Sequence, residues 1–457
     1  MSNLHVATRR VKFWWHLSIA YIIRYQLRLI VSLSIIILSL YVFYMLAPNI
    51  LRNNIVTIGF IGSYKIEDIP TEALTLATQS LIKADESGKS LPSLASNWTV
   101  SEDGKTYIVF LRDNITWHDG SQVEAKDISL AISTVEIRAV NNKTIQFTLP
   151  NPISSFPLAL DTPVFKSKSF YGTGQFRIVD IAQTNQIVKK VLLHPKDDSL
   201  PRVEIRFYPS DQQAVNALKI GEIKVLASSH LNSLSSWKNI NIKKTPEKTE
   251  IVTVFFNNTN DLLTSKEVRQ ALAYAIKKDD FEGELANGPI SSSSWAYNQS
   301  TKKYEYNTSR AKELLSGAQL KNPKLSLSYS PDLKDLAQRI KDDWEVVGIK
   351  VDLKEEKGLP KDFQAFLVVN KLPKDPDQYA LWHSTQSNSN IAKYKNVKID
   401  KLLEDARIAK SDEERKQFYI DFQKYLTEDA PAIFLYHPYK YQAIYKNIQS
   451  FYDKLHI

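Results

Sequence analysis

The sequence contains no cysteine among its 457 residues. This absence excludes a disulfide framework, a thiolate zinc site, a thiol nucleophile and a lipid-modified N-terminal cysteine. Glycine is scarce, at 13 residues, and no glycine-rich phosphate-binding loop occurs. The eight histidines never follow a His-x-x-x-His or His-Glu-x-x-His spacing. The sequence therefore predicts neither a metal site nor a cofactor.

The first 53 positions contain no acidic residue and contribute most of the net charge of +9. Six Lys and Arg residues lie in that stretch, so only +3 remains for the other 404 residues. A surface of mixed charge does not favour a polyanionic partner. We therefore expect no nucleic-acid binding.

An uncharged apolar run of 18 residues occupies positions 29–46. At 1.5 Å per residue it can cross most of a bilayer as a helix, the form that satisfies its backbone polar groups internally. We interpret residues 29–48 as a transmembrane anchor. A buried helix of a soluble protein and a cleaved signal peptide are the alternatives. The Ala47-Pro48 sequence is a poor cleavage point, which favours an uncleaved anchor.

Five Lys and Arg residues precede the apolar run and predict its orientation. Because basic residues stay on the cytoplasmic side, we expect residues 1–28 to form a cytoplasmic tail, with residues 13–28 at the membrane interface. The protein would then cross the cytoplasmic membrane once. Its main domain would lie outside, in the periplasmic or extracellular space.

Alternating strand and helix patterns follow the apolar run and predict an α/β protein with mixed sheets. β-branched or aromatic runs predict strands at 55–61, 106–111, 135–140, 144–150, 203–209, 223–228, 252–257, 325–330, 349–354 and 363–369. Helical spacing of apolar residues predicts helices at 71–83, 211–220, 266–278, 309–318, 335–348, 398–409 and 412–428. The two Asn residues at 141–142 suggest a hairpin turn with positive φ angles.

The stretch LPSLASNWTVSEDGKTYIVFLRDNITWHDGSQVEAKDISLAI at 91–132 resembles the signature region of the family 5 extracellular solute-binding proteins. These are the oligopeptide-, dipeptide- and nickel-binding components of ABC importers. Further segments fit the family in the same order, so the resemblance runs from about residue 55 to the end. They are YGTGQFRIVD (171–180), VNALKIGEIKV (215–225), FFNNTNDLLTSKEVRQALAYAIKKDDF (255–281), YNTSRAKELL (306–315), DPDQYALWHSTQ (375–386) and EDAPAIFLYHP (428–438).

The resemblance implies a two-lobed clamshell of the periplasmic-binding-protein type II, cluster C-like class. Lobe I would comprise residues 54–252 plus 432–457, and lobe II residues 253–431. A peptide or peptide-like solute would bind between the lobes and be delivered to ABC permease subunits in the membrane. The resemblance implies a monomer and no enzymatic activity in this chain.

Two departures from the family pattern bear on the ligand. The segment between DISLAI and VEIRAV is shorter than in most members, where a subdomain insert lies. Members that bind a free peptide N-terminus place an aspartate three residues before the Asp-Pro-Asp sequence, and this chain has Leu372 there. The resemblance therefore predicts no ammonium anchor at this position.

The TWHDG sequence at 116–120 places a histidine beside an aspartate, as in a catalytic pair, but it is expected to form a structural turn. Asp119-Gly120 is typical of a turn, and Trp117 is expected in the core. A helix is expected to begin near Glu124. Catalysis by His118 would need a nucleophile or a third orienting group, and no motif nearby supplies one.

The candidate ligand-binding residues are aromatic and polar side chains in family positions at the lobe junctions. Ligand sites of this kind combine apolar walls with a few polar groups. Ordinary core or hinge packing is the alternative for each of them. They are Tyr64, Trp295, Trp382, His383, Gln386 and Asn390.

Two other functions compete with transport. A membrane-anchored sensor could use the same clamshell to signal to a membrane partner, although the short N-terminal tail offers no signalling domain. An anchored hydrolase would need catalytic residues, and the motifs provide none. The sequence favours the solute-binding interpretation.

Retention of the anchor predicts that the mature protein keeps its original N-terminal segment. Edman sequencing of protein purified from membranes would test this, with a truncated variant lacking residues 1–48 as the reference for a cleaved product. A mature N-terminus near residue 48 would contradict the anchor interpretation.

Overall fold

The computed structural model describes residues 14–16, 24–25, 34–39, 41, 55–228, 231, 234, 236–279, 281–320 and 322–455. The predicted tail and anchor lie largely outside these residues; within them, positions 34–39 are helical. No helix in the described ranges has both the length and the apolar character to span a membrane.

The described residues form the ten strands expected from the sequence periodicity, with small shifts of their ends, and eight further strands. The strands are β1 (Ile55–Ile61), β2 (Ile82–Ala84), β3 (Ser90–Pro92), β4 (Ala95–Val100), β5 (Thr106–Leu111), β6 (Glu136–Asn141), β7 (Thr144–Thr148), β8 (Phe176–Thr184), β9 (Ile187–Pro195), β10 (Arg202–Tyr208), β11 (Val225–Ser228), β12 (Ile240–Pro246), β13 (Glu250–Phe256), β14 (Gly283–Leu285), β15 (Lys324–Tyr329), β16 (Lys350–Glu355), β17 (Ala365–Lys371) and β18 (Ala432–Tyr445).

The helices are α1 (Thr71–Leu74), α2 (Phe156–Ala159), α3 (Asp211–Lys219), α4 (Lys266–Ala275), α5 (Thr308–Gly317), α6 (Lys334–Val346), α7 (Tyr379–Trp382), α8 (Val397–Ile408), α9 (Asp412–Asp429) and α10 (Gln449–Tyr452). Side-chain caps fix several helix starts. Ser265 accepts a hydrogen bond from the Val268 amide at the start of α4, and Ser411 accepts one from the Glu414 amide at the start of α9. Such caps satisfy amides that lack an intrahelical partner.

One large mixed sheet carries most of the strands, in the order β16-β15-β17-β13-β18-β11-β1-β10-β9-β8. β18 also pairs with β12 and β14. We call β1 and β8–β12 the first half of the sheet, and β13–β17 the second half. β18 belongs to both, because its residues 432–436 pair with β13 and its residues 439–445 pair with β12.

Each half of the sheet has its own apolar core. The second half packs against α4, α5 and α6, where the Trp344 ring is fully buried and donates a hydrogen bond to the Leu272 carbonyl. Arg269 is also buried there and donates to four backbone carbonyls, those of Leu263, Thr264, Asp429 and Ala430. This arginine joins the start of α4 to the end of α9 by satisfying carbonyls that would otherwise be unpaired.

A separate four-stranded antiparallel sheet has the order β4-β5-β7-β6. Its core includes Trp117, which is 1% exposed, as the sequence predicts. The hairpin of β6 and β7 is confirmed. The expected positive φ angles at 141–142 are wrong, since neither Asn lies in the left-handed region. Asn141 instead accepts a hydrogen bond from the Lys143 amide through its side chain, which stabilises the turn without an unusual backbone.

Several local features differ from the sequence-based prediction, and strands β2–β4, β12, β14 and β18 were not predicted. The helix expected at 71–83 is limited to α1, and β2 follows it. The helix expected near Glu124 is a single 3₁₀ turn at Ala125–Asp127. The β8–β9 hairpin was not predicted. Its turn places Asn185 and Gln186 at φ angles of 51° and 65°, without the glycine that usually indicates such a turn.

Candidate functional site

A cavity of about 680 Å³ lies between the four-stranded sheet and the ends of α8 and α9. Its volume is in the range typical of small-molecule sites, about 300–1,000 Å³. Aromatic residues on both sides line it: Trp98 and Tyr107 from the four-stranded sheet, and Trp295 from the segment before α5. Tyr107 is buried, and its hydroxyl donates to the Ile153 carbonyl over 3.0 Å. The wall therefore combines aromatic residues with polar and charged ones.

Hydrogen bonds from two serines attach the four-stranded sheet's flank to the end of α8. The Ser154 amide donates to the Arg407 carbonyl over 2.8 Å, and its hydroxyl donates to the Ala406 carbonyl over 2.9 Å. Ser155 donates to a carboxylate oxygen of Asp377 over 3.2 Å. The C-terminal carbonyls of a helix lack intrahelical partners, so Ser154 satisfies two of them from another part of the chain.

A second, smaller cavity of about 220 Å³ lies beside Leu372. It is lined by the loop at 84–88, the segment around 289–294 and residues 372–374, and Gly88 lines both cavities. Gly88 has a φ of +84°, and a Cβ atom there would lie 2.1 Å from the Lys374 carbonyl oxygen. Only glycine allows this backbone approach without displacement.

Two further contacts hold this loop region against the second half of the sheet. The Trp295 amide donates to the Ser87 carbonyl over 3.0 Å. The Lys374 ammonium group lies 2.8 Å from a carboxylate oxygen of Asp161. Both cavities are therefore closed by direct polar contacts between segments distant in sequence.

A buried ion pair forms part of the wall of the larger cavity. Arg415 on α9 donates to Asp375 over 2.7 Å, and both side chains are nearly inaccessible to solvent. Burial raises the pKa of Asp375, while the Arg415 guanidinium opposes the rise. Burial alone would lower the pKa of Arg415, but its contacts with Tyr419 and Asp375 outweigh that effect and raise it. The two charges compensate each other inside the protein.

The Asp-Pro-Asp sequence forms a turn, as its proline indicates. The Asp375 side chain accepts from the Asp377 amide over 2.9 Å, and the Asp377 side chain accepts from the Tyr379 amide over 3.0 Å. Arg407 lies 2.8 Å from Asp377 and has its guanidinium 3.9 Å from the centre of the Tyr379 ring. Each carboxylate thus has an arginine partner, which fixes the turn between the two helices.

Trp295 is the predicted site residue that lines the larger cavity. Its half-buried ring packs edge-on against Tyr419, and the Arg415 guanidinium lies 5.3 Å from the ring centre. Tyr64 lies elsewhere, after β1. Its hydroxyl donates to the Ile61 carbonyl over 2.7 Å, and its ring packs against Phe207.

The other four predicted residues lie together in and after α7, away from the lining of either cavity. Trp382 is 2% exposed and packs among Phe255, Tyr394 and Phe434. The other three are bonded within the same loop. His383 stacks on Tyr379 and contacts Thr385, Asn390 bonds both backbone groups of Tyr394, and half-buried Gln386 donates to Thr385. These contacts rigidify the loop, and ligand binding by the four residues stays a prediction.

No sequence pattern singles out Trp98, Arg415 or Ser154 as site residues. Arg415 lies on the buried face of α9 among apolar residues, and its partner Asp375 is 40 positions earlier in the chain. Ser154 bonds a helix end about 250 positions later. Neither contact has a local sequence signal, because each depends on how distant segments pack.

The side chains of the TWHDG sequence are bonded to neighbouring parts of the chain. The Nδ1 atom of His118 accepts from the Gly172 amide over 3.1 Å, and its Nε2 atom lies 3.0 Å from the Gly174 carbonyl. Burial lowers the pKa of His118. Asp119 pairs with Lys166 over 2.6 Å, and hydrogen bonds from Lys166 and Ser121 hold its pKa well below the usual range. The histidine and its neighbour therefore tie the turn to the chain at 166–174.

The described part of the chain contains no candidate metal site. No group of three or more His, Asp or Glu side chains there is arranged to hold a metal ion. The larger cavity instead combines aromatic residues with a compensated ion pair, which suits reversible binding of an organic solute.

Comparisons with known proteins identify the family. The model of the bacterial extracellular solute-binding proteins, family 5, matches residues 89–135 and 128–393. The chain therefore belongs to this family of solute-binding proteins, and it has their mixed α/β, two-lobed periplasmic-binding-protein fold.

Individual relatives are similar over most of their length. The oligopeptide-binding protein AppA of Bacillus subtilis is 27% identical, with 86% of each chain covered. The substrate-binding protein CtaP of Listeria monocytogenes has a solved structure with a TM-score of 0.72 at 23% identity, covering 85% of this chain and 93% of that one. The structure of B. subtilis AppA in complex with a nonapeptide has a TM-score of 0.64 at 23% identity, covering 86% of this chain and 94% of that one.

The buried ion pair predicts a large stability effect from one substitution. Arg415→Met should leave the Asp375 carboxylate buried without its partner and lower the free energy of unfolding by about 3–5 kcal/mol. Urea unfolding measures this, with Lys416→Met as the control because Lys416 is an exposed neighbour on the same helix. Replacing both partners, as Arg415→Met with Asp375→Leu, should recover much of the loss. Equal free energies of unfolding for the Arg415 and Lys416 variants would contradict a stabilising role of the buried ion pair.

Proposed function

We propose that this protein captures a peptide or peptide-like solute outside the cytoplasmic membrane and delivers it to the permease of an ABC importer. The observation that carries the proposal is a pair of cavities, each lined both by residues of the 84–157 region and by residues of the 289–415 region, in a family 5 solute-binding chain. The related AppA is named as oligopeptide-binding and its structure holds a nonapeptide. Peptide capture by this chain is the inference from these likenesses.

The proposed lobes correspond approximately to the two halves of the sheet, with β13 and the start of β18 at their junction. Lobe I comprises residues 54–252 plus 432–457, and lobe II residues 253–431. In support, β12 and β13 are consecutive strands that pair with opposite ends of β18, so the chain passes between the halves at 247–249. Closure of the lobes about such short connections buries the ligand without chemical change. The proposal therefore assigns no enzymatic activity to the chain.

The proposed membrane attachment rests on the sequence. Residues 1–28 would stay cytoplasmic and residues 29–48 would anchor the protein, as a single-pass monomer beside its permease. The helical positions 35–38 carry four apolar side chains that are each more than half exposed. Exposed side chains of this kind suit a lipid environment.

We propose Trp295 as a direct ligand contact, since it lines the larger cavity. Tyr64 remains proposed for the opposite lobe. Trp382, His383, Gln386 and Asn390 would act by shaping the loop that leads from the Asp-Pro-Asp turn to α8. An interaction network of this kind holds contact residues in place.

In this proposal, Leu372 at the usual anchor position means that the ligand's N-terminal ammonium group is not held by a carboxylate. It is half-buried, lines the smaller cavity and donates its amide to the Thr249 carbonyl over 2.7 Å. Its side chain offers neither charge nor hydrogen bond. The carboxylate nearest in sequence, Asp375, is paired with Arg415, and Lys374 is paired with Asp161. A ligand with a blocked or internal amine therefore suits the site.

Mass spectrometry of material bound to the purified full-length protein should find peptides. One recovered peptide, titrated calorimetrically in free and N-acetylated forms, should bind with affinities that agree within a few-fold. Without a carboxylate anchor the ammonium group should stay hydrated in the bound peptide, because burying it unpaired would cost about 3–5 kcal/mol.

Leu372→Asp should strengthen binding of the free form selectively, and Leu372→Asn is the uncharged control. A hundredfold weakening on acetylation would show that an ammonium anchor exists. Recovery of no peptide, together with no binding of any peptide tested, would contradict the proposed function itself.

A further inference from the structure

The larger cavity lies apart from Leu372 and is the more spacious of the two. It has about 680 Å³ against about 220 Å³ beside Leu372, and the two meet at Gly88. A ligand whose backbone occupies the smaller cavity could extend one group past Gly88 into the larger one. This inference rests on the proposed function and concerns the chemistry of that group.

Part of the lining of the larger cavity is apolar and aromatic. Trp98 and Trp295 are both half-buried, and the Tyr107 hydroxyl is already bonded to the Ile153 carbonyl. Val100 and Ile408 add exposed apolar surface, 50% and 56% exposed, to the lining. Large apolar side chains left exposed along a cavity indicate a surface that binding covers.

The buried charges of this cavity are already compensated. Among its lining residues in the described chain, the ionic side chains that are buried are Asp375 and Arg415, and they pair with each other over 2.7 Å. Half-buried Arg407 also lines the cavity and pairs with Asp377. The remaining charged lining residues are of both signs and exposed to solvent, which screens them. A charged group buried beside this pair of Asp375 and Arg415 would lose its hydration, and its charge would add to a pair that is already neutral.

From this arrangement we infer that the larger cavity is a specificity pocket for one uncharged aromatic side chain of the captured peptide. The ring would pack against Trp98 from one lobe and Trp295 from the other. Aromatic pairs prefer offset or edge-on contact, and such a side chain contributes a large apolar area. Because both lobes supply a wall, filling the pocket would favour the closed form.

The probes are N-acetylated pentaalanine amide and its derivatives with one Phe, Glu or Lys at each position in turn. Calorimetry with the full-length protein should find one position where Phe binds about tenfold or more tighter than Ala, as expected for burial of an aromatic side chain. Glu and Lys at that position should bind no better than Ala.

The variant Val100→Ala/Ile408→Ala should lower this Phe preference severalfold, because it truncates two apolar side chains of the pocket lining. Both side chains are exposed, so their truncation leaves the core intact. Val346→Ala is the control, because Val346 is similarly exposed but lies on α6, outside the cavity lining. The control should keep the full preference.

The outcomes separate this inference from the proposed function. If pentaalanine binds but Phe gains nothing at any position, the pocket assignment is wrong and peptide capture stands. A Phe preference that persists in the double variant would place the aromatic group elsewhere and also overturn the assignment. If none of the peptides binds, the proposed function fails and the pocket assignment fails with it.

Discussion

Strand β18 is the element on which the two-lobed arrangement depends. One end pairs with β13 in the second half of the sheet, and the other pairs with β11 and β12 in the first half. His437 lies between these ends, buried, with its Nδ1 atom 2.7 Å from the Glu250 carbonyl. A continuous strand limits how the halves can move, because sliding would break its hydrogen bonds. Rotation about 247–249 and about the junction of Pro438 and Tyr439 preserves the pairings of β18 with β12, β13 and β14.

The contacts that close the cavities are polar and few, which suits reversible closure. Lys374 is 56% exposed in its pair with Asp161, and an exposed ion pair contributes only about 0–1 kcal/mol. The hydrogen bonds of Ser154 to the end of α8 replace bonds that water could make. Closure would therefore be weakly favoured alone, and apolar burial of a ligand would supply the difference. A ligand shifts such an equilibrium only through contacts made in one state.

Much of this fold could be predicted from local sequence, and the reason is visible in particular elements. β13 is a continuous apolar and β-branched run because it lies between β17 and β18, and α4 begins at a serine cap with its apolar face inward. The β8–β9 hairpin escaped prediction because its turn has no glycine and much of β8 is exposed. The family resemblance predicted the fold class and the family.

The candidate site was less predictable, since it depends on contacts between distant segments. Trp295 faces a cavity and Trp382 lies within the core, although both are tryptophans next to polar residues in family positions. Only packing distinguishes them. The Arg415–Asp375 pair and the Gly88 approach to Lys374 likewise join segments with no shared local pattern. The departure of Leu372 from the family pattern was visible in the sequence, because it concerns the residue type at one position.

Closure on a peptide is the central claim, and the cysteine-free sequence makes it directly measurable. Spin labels on Glu136→Cys in β6 and Lys416→Cys in α9, both exposed, would react at those two positions alone. Pulsed electron paramagnetic resonance then gives the distance distribution between them. With a saturating peptide recovered from the protein, we predict a single narrow distribution that differs from the broader one without peptide. Identical distributions, with binding verified calorimetrically, would contradict the account.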